Sequence, residues 1–198
     1  GQSCSAATRL LVPRAMLDEV NARVKAYVGT LKQGDPIKPE MDLGPVVSKI
    51  QWDRIQALLH KGVAEGATVL LGGPGKPEGL ETGYYVKPTV FTNVRNDMTV
   101  AQEEIFGPVL CIIPYDTEDE AVAIANDSRY GLGGAVSGSP ARALAVARRI
   151  RTGTVGVNQA TPHPMLPFGG YKQSGNGREK GIFGFEEYLE VKTIALPG

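Results

Sequence analysis

The 198-residue chain has 21 Lys plus Arg and 21 Asp plus Glu, so its formal net charge is zero. A neutral chain predicts no charge-driven binding to nucleic acid or to a membrane surface. Hydrophobic residues make up 42% and charged residues 21%, which is enough for a substantial globular core. The two cysteines and two histidines show no metal-ligand spacing, and we expect a cytoplasmic chain with free thiols, no metal, no signal peptide and no membrane span.

Alternating strand and helix patterns predict an α/β domain. Apolar residues spaced three and four apart, together with capping residues at the starts, favour helices. Short β-branched runs bounded by Gly or Pro favour strands. The predicted helices are 15–32, 46–65, 117–128 and 139–150, and the predicted strands are 9–12, 68–71, 86–94, 109–115, 133–138 and 154–158.

Two Gly- and Pro-rich stretches predict loops. Residues 71–85 form the first, and we expect it to be exposed. The second covers 158–179, where Phe168 and Met165 could give a substrate channel an apolar wall, although a surface crossover is the alternative. Its end, "SGNGREKG", lacks the preceding strand and following acidic residue of a dinucleotide-binding fingerprint.

Two short motifs could carry chemistry. Cys4 lies among small residues in "GQSCSAATR", which suits an accessible nucleophile, while a buried structural thiol is the alternative. In "EEIFGPVL", Glu103 and Glu104 precede Phe106, so a carboxylate could bind sugar hydroxyls beside an aromatic ring. A solvated acidic pair before a Gly-Pro turn is the alternative here.

Six motifs in order resemble the NAD(P)-dependent aldehyde dehydrogenase family from the first residue almost to the last. They are "GQSCSAATR", "GPVVSKIQWDRI", "EEIFGPVL", "NDSRYGL", "PFGGYKQSGNGRE" and "EYLEVKTI". The resemblance implies an open, mostly parallel, twisted sheet flanked by helices. It implies a catalytic domain over 1–184 and a tail strand over 185–198 through which subunits form a homodimer or homotetramer.

The resemblance also implies residue roles. Cys4 would attack the aldehyde carbon to form a thiohemiacetal, and hydride transfer to NAD or NADP would leave a thioester that water hydrolyses. The Cys4 main-chain N–H would stabilise the oxyanion. The cofactor-binding residues would be Glu104, Phe106, Gln51 and Arg54, and the substrate-contacting residues would be Ser3, Ser5 and Phe168.

In the family, the general-base glutamate, the oxyanion-site asparagine and the cofactor domain precede the cysteine. We therefore expect this chain to be the C-terminal catalytic portion of an aldehyde dehydrogenase, inactive without the preceding part. Two alternatives stay open: a non-enzymatic assembly or binding fragment, and a relative that transfers the acyl group to coenzyme A. The sequence leaves the aldehyde and the choice between NAD and NADP undetermined.

Overall fold

A computed structural model describes residues 1–158, 160 and 163–198 of the chain. It contains two compact units, Gly1–Asp127 and Ser128–Gly198. Within the described ranges, no helix combines the length and the apolar character needed to cross a membrane.

The first unit is built on a four-stranded sheet. Its strands are β1 (Arg9–Pro13), β2 (Thr68–Leu71), β3 (Thr89–Thr92) and β4 (Val109–Tyr115), in the spatial order β1-β4-β3-β2. β4 pairs in parallel with both β1 and β3, and β2 joins β3 antiparallel. The sheet is thus mostly parallel, as predicted.

Helices cover both faces of this sheet. They are α1 (Leu17–Val28), α2 (Lys49–Ala64), α3 (Thr99–Gln102) and α4 (Glu118–Asn126). Because successive strand residues point to opposite faces, Phe91, Cys111 and Ile113 share one buried cluster with residues of α2 and α3. Val90 and Ile112 belong to a second cluster, against which α1 packs. This arrangement explains why β3 and β4 are apolar on both faces.

The second unit contains a smaller parallel pair. β5 (Gly133–Val136) pairs in register with β6 (Thr154–Val157), and α5 (Pro140–Ala147) connects them and packs on both. Short helical segments follow at Lys172–Ser174 and α6 (Gly181–Glu186). Gly153 is required here, because a Cβ at this position would collide with the main chain of Gly169.

All four predicted helices and all six predicted strands form. The helices and the strands 86–94, 133–138 and 154–158 are shorter than predicted, strands 68–71 and 109–115 have the predicted bounds, and strand 9–12 extends to Pro13. Strand 86–94 contracts to β3 because Pro88 lacks the N–H that a ladder needs and Asn93 has a φ of 53°. The predicted cap Thr117 accepts from the Glu120 N–H. Glu120 itself accepts from the Asp116 N–H and not from Thr117, one residue earlier than a capping box requires.

The predicted cap Ser139 makes no side-chain capping bond, although Pro140 occupies the first helical position as expected. The tail does not form a strand within this chain: residues 189–198 have no assigned secondary structure and are exposed. A strand needs a neighbour for its N–H and C=O groups. Its pairing with another subunit therefore stays a prediction.

Candidate active site

Cys4 lies on an exposed turn at the entrance to β1. The Ala6 N–H donates to the Ser3 carbonyl at 3.0 Å and closes the turn around Cys4 and Ser5. The thiol is exposed, and its Sγ lies 4.0 Å from the Ser5 hydroxyl. Ser3 and Ser5 are themselves exposed on either side of it. An approaching small molecule can therefore reach the sulfur, as the small neighbouring residues predicted.

Two contacts fix the chain immediately before this turn. The Gln2 Oε1 accepts from the Val47 N–H at 3.0 Å, just before the Ser48 cap of α2. Gly1 lies directly against the main chain of Gly107, where a Cβ would collide. The chain that leads into the Cys4 turn therefore touches the segment that contains Glu104 at Gly107.

Arg9 anchors the chain after the turn. Its guanidinium donates to the Asn96 Oδ1 at 2.7 Å and to the carbonyls of Ile124 and Ala125 at 2.9 and 3.0 Å. These carbonyls belong to the last turn of α4, where a cation is favourable. Burial lowers the pKa of Arg9, an effect that the nearby Asp127 opposes. Arg9 thus fixes the start of β1, a role that no sequence motif had predicted.

The segment 103–108 connects α3 to β4. Glu104 is exposed and Phe106 is half-buried. Phe106 has a φ of 55°, a left-handed conformation that is rare for a bulky side chain. Gly107 allows the segment to approach α2, because a Cβ there would lie 2.6 Å from the Ile55 Cδ1.

The N-terminal turns of α2 hold this segment by its main chain. The Gln51 Nε2 donates to the carbonyls of Ile105 and Phe106, each at 2.9 Å. The Arg54 Nη2 donates to the Glu104 carbonyl at 2.7 Å. The structure therefore brings Gln51 and Arg54 together with Glu104 and Phe106, but through main-chain contacts that the sequence had not suggested. The resemblance assigned all four residues to cofactor binding, and that role stays a prediction.

Phe168 belongs to the second unit and is half-buried. Its N–H and C=O exchange hydrogen bonds with Glu179 at 2.8 and 2.7 Å, and the Lys180 Nζ lies 5.4 Å from the centre of its ring. The ring lines an open cleft of about 570 Å³ that also contains Arg178 and Tyr188. Its role in a substrate channel stays a prediction, and residues 159, 161 and 162 of the loop 158–179 lie outside the described residues.

Cys111 differs from Cys4 in its exposure to solvent and in its contacts. It is buried in β4, and its thiol donates to the Val100 carbonyl at 3.4 Å. Desolvation raises its pKa to about 12, although Arg9 acts in the opposite direction. Such a thiol is protonated and unreactive at neutral pH.

The two histidines have ordinary surroundings within their own units. His60 is exposed on α2, and the Nδ1 of His163 accepts from the Met165 N–H in the second unit. Across the described ranges, no three His, Cys, Asp or Glu side chains are grouped so as to hold a metal ion. Of the two cysteine thiols, the thiol of Cys4 is the exposed one.

Comparisons with known proteins agree with this geometry. Residues 1–194 match the aldehyde dehydrogenase family. A candidate aldehyde dehydrogenase of Staphylococcus saprophyticus is 54% identical over 196 residues, which cover 98% of this chain and 41% of that protein. The chain thus spans about two fifths of the length of this relative.

Solved structures show the same similarity. A cysteine-to-alanine mutant of aldehyde dehydrogenase C from Pseudomonas syringae, complexed with NAD⁺ and octanal, is 54% identical with a TM-score of 0.94, over 97% of this chain and 40% of that one. A Mycobacterium tuberculosis aldehyde dehydrogenase complexed with NAD⁺ is 49% identical with a TM-score of 0.95, over 100% of this chain and 41% of that one. The chain belongs to the aldehyde dehydrogenase family.

Proposed function

We propose that the protein containing this chain oxidises an aldehyde to a carboxylic acid with NAD⁺ or NADP⁺, and that Cys4 is its nucleophile. The observation that carries the proposal is the exposed thiol of Cys4, held on a turn beside the segment that presents Glu104. The solved relatives that contain NAD⁺, one of them with octanal, support the same reaction class.

Cys4 acts by covalent catalysis. Its thiolate attacks the aldehyde carbon, a C–S bond forms, and the carbonyl oxygen becomes the oxyanion of a thiohemiacetal. The Cys4 main-chain N–H is a candidate donor to that oxyanion, and a donor preorganised in this way stabilises the transition state. NAD(P)⁺, which Glu104 and Phe106 would help to hold, would supply the acceptor for the hydride of the substrate carbon. Water then cleaves the Cys4 thioester, which releases the acid and restores the thiol.

The residues around Glu104 fit such a cofactor. An exposed carboxylate can accept hydrogen bonds from vicinal sugar hydroxyls, and the half-buried ring of Phe106 offers an apolar surface beside it. Both donors of the Gln51 amide nitrogen are engaged by main-chain carbonyls. We therefore assign the direct ribose contact to Glu104 and a supporting role to Gln51 and Arg54.

The general base and the second oxyanion donor are proposed to lie outside residues 1–198. Among the described residues, no carboxylate or imidazole hydrogen bonds to the Cys4 Sγ, whose recorded contact is Ser5. The relatives are more than twice as long as the aligned chain, which leaves room for a cofactor domain and a base. Two free thiols suit a reducing compartment such as the cytoplasm. The exposed tail is proposed to pair with a second subunit.

The experiment compares two cysteine variants of the full-length protein. Cys4→Ala is expected to abolish the formation of reduced cofactor from an aldehyde, whereas Cys111→Ala is expected to retain turnover and lose only modest stability. Product analysis with and without coenzyme A distinguishes a free acid from an acyl thioester product. Turnover retained in Cys4→Ala would refute the assignment, and absence of turnover in the unmodified full-length protein would favour a binding module.

A further inference from the structure

We propose that Gln51 is a positioning residue, which holds the main chain of residues 104–106 so that the Glu104 carboxylate is presented beside the Cys4 turn. This inference rests on the proposed function of Glu104 in cofactor binding. In this proposal Gln51 does not contact the cofactor itself. The N-terminal end of α2 aligns the Glu104 segment with the Cys4 turn.

The geometry at Gln51 suits this task. Its single amide nitrogen spans two successive carbonyls, those of Ile105 and Phe106, at 2.9 Å each. A primary amide nitrogen has two N–H donors, so this fork uses both. The Gln51 N–H donates to the Ser48 hydroxyl at 3.2 Å, which places Gln51 in the capped first turn of α2. The side chain therefore extends from a fixed point.

The conformation that Gln51 holds is an unfavourable one. Phe106 has a φ of 55°, and a bulky residue in this region requires support from its surroundings. One bond from Gln51 goes to the carbonyl of Phe106 itself. Arg54 binds the carbonyl of Glu104, so side chains of α2 hold three successive carbonyls of one short segment.

The residues that lead into α2 also hold the segment before the nucleophile. The Val47 N–H, two residues before α2, donates to Gln2, which lies two residues before Cys4. The Glu104 segment is thus attached to α2, and the Cys4 segment to the residues just before it. Loss of the Gln51 fork would free the carbonyls of Ile105 and Phe106, and it would leave the Arg54 bond to Glu104 and the Val47 bond to Gln2 in place.

The chain offers a matched control in Gln33. Its Nε2 also donates to a main-chain carbonyl, that of Val86, at 2.8 Å, and the residue is half-buried in the same unit. Among the described residues, the Gln33 side chain makes no hydrogen bond to the 103–108 segment. Gln33→Met and Gln51→Met therefore each remove a side-chain amide that donates to main-chain carbonyls. Of the two amides, the one of Gln51 supports the Glu104 segment.

The test uses the full-length protein and measures the dissociation constant of NAD⁺ by calorimetry, alongside the thermal unfolding midpoint. Gln51→Met is expected to raise the dissociation constant about tenfold, equivalent to about 1.4 kcal/mol, while Gln33→Met changes it less than about twofold. The KM for the aldehyde should stay unchanged in both variants. If Gln51→Met does not fold, Gln51→Glu, which keeps the shape and lacks the donor, replaces it.

A double-mutant cycle with Glu104→Gln separates positioning from general damage. If Gln51 acts through Glu104, Gln51→Met should weaken NAD⁺ binding much less in the Glu104→Gln background. Full additivity, or equal effects of Gln51→Met and Gln33→Met, would overturn the inference. Failure of the unmodified protein to bind NAD⁺ would instead refute the proposed function on which the inference rests.

Discussion

The two cysteines place the same functional group in opposite environments. Cys4 lies on an exposed turn whose flanking residues are fixed by Gln2 and Arg9. Cys111 lies in a central strand, donates to the Val100 carbonyl and has a pKa raised to about 12 by burial. A nucleophile must be reachable and positioned, whereas a core thiol serves as a small apolar side chain. The fold, and not the residue type, separates the two.

The largest expected effect is on the aldehyde-oxidising activity of residues 1–198 expressed alone. We expect no oxidation of a simple aldehyde with NAD⁺ or NADP⁺, because loss of one oxyanion donor alone typically costs about 10²–10³ in rate. The base and the cofactor domain, which we propose lie outside residues 1–198, would also be missing, and this lowers the expected rate further. The assay follows reduced cofactor by absorbance. Cys4-dependent turnover above background would mean that a base and a cofactor site lie within this chain.

Alkylation of the native protein sharpens the comparison directly. Iodoacetamide at neutral pH is expected to modify Cys4 and spare Cys111. The rise in pKa from 9.0 to about 12 lowers the thiolate fraction of Cys111 on the order of a thousandfold, and burial blocks access as well.

The contribution of Cys111 to the stability of the folded protein falls as the pH rises. Since its folded-state pKa is raised, the stability that it contributes is complete below about pH 9 and is lost as pH rises towards 12. Peptide mapping should therefore find Cys111 alkylated only in strong alkali or after denaturation. Rapid modification of native Cys111 at pH 7 would contradict the comparison.

Glu104→Gln should have a smaller effect on the full-length enzyme. The substitution keeps the shape and removes the charge, which weakens charge-assisted hydrogen bonds worth about 1.5–3 kcal/mol each. Hydride transfer, measured in single turnovers, should slow more than aldehyde binding weakens. Glu103→Gln is the matched control, and an equal loss in both variants would remove the special role of Glu104.

Much of the fold could be predicted because its signals are local. The Thr117 cap and the apolar stripe of α1 are encoded by residues within a few positions of one another. Cys4 and Glu104 were predicted as site residues because their neighbours form distinctive motifs. Strand 86–94 is shorter in the structure because Pro88 interrupts the hydrogen-bond ladder.

The contacts that assemble the site could not be predicted in this way. The bonds from Gln51 to Phe106, from Arg54 to Glu104 and from Val47 to Gln2 join residues about 45 to 55 positions apart. They depend on how α2 packs on the sheet. A glutamine before an arginine on a helix gives no sign that both will bind main-chain carbonyls. The left-handed conformation of Phe106 has no local signal either, because that region usually favours Gly or Asn.

The most direct test of the central claim is to detect the acyl group on the protein. The full-length enzyme is mixed with NAD⁺ and an aldehyde, stopped with acid within the first turnover, digested and analysed by mass spectrometry. We predict an acyl thioester on the peptide that contains Cys4, and none on the peptide that contains Cys111. A first turnover of reduced cofactor with the Cys4 peptide unmodified at every time point, or with the acyl group on another residue, would contradict the account.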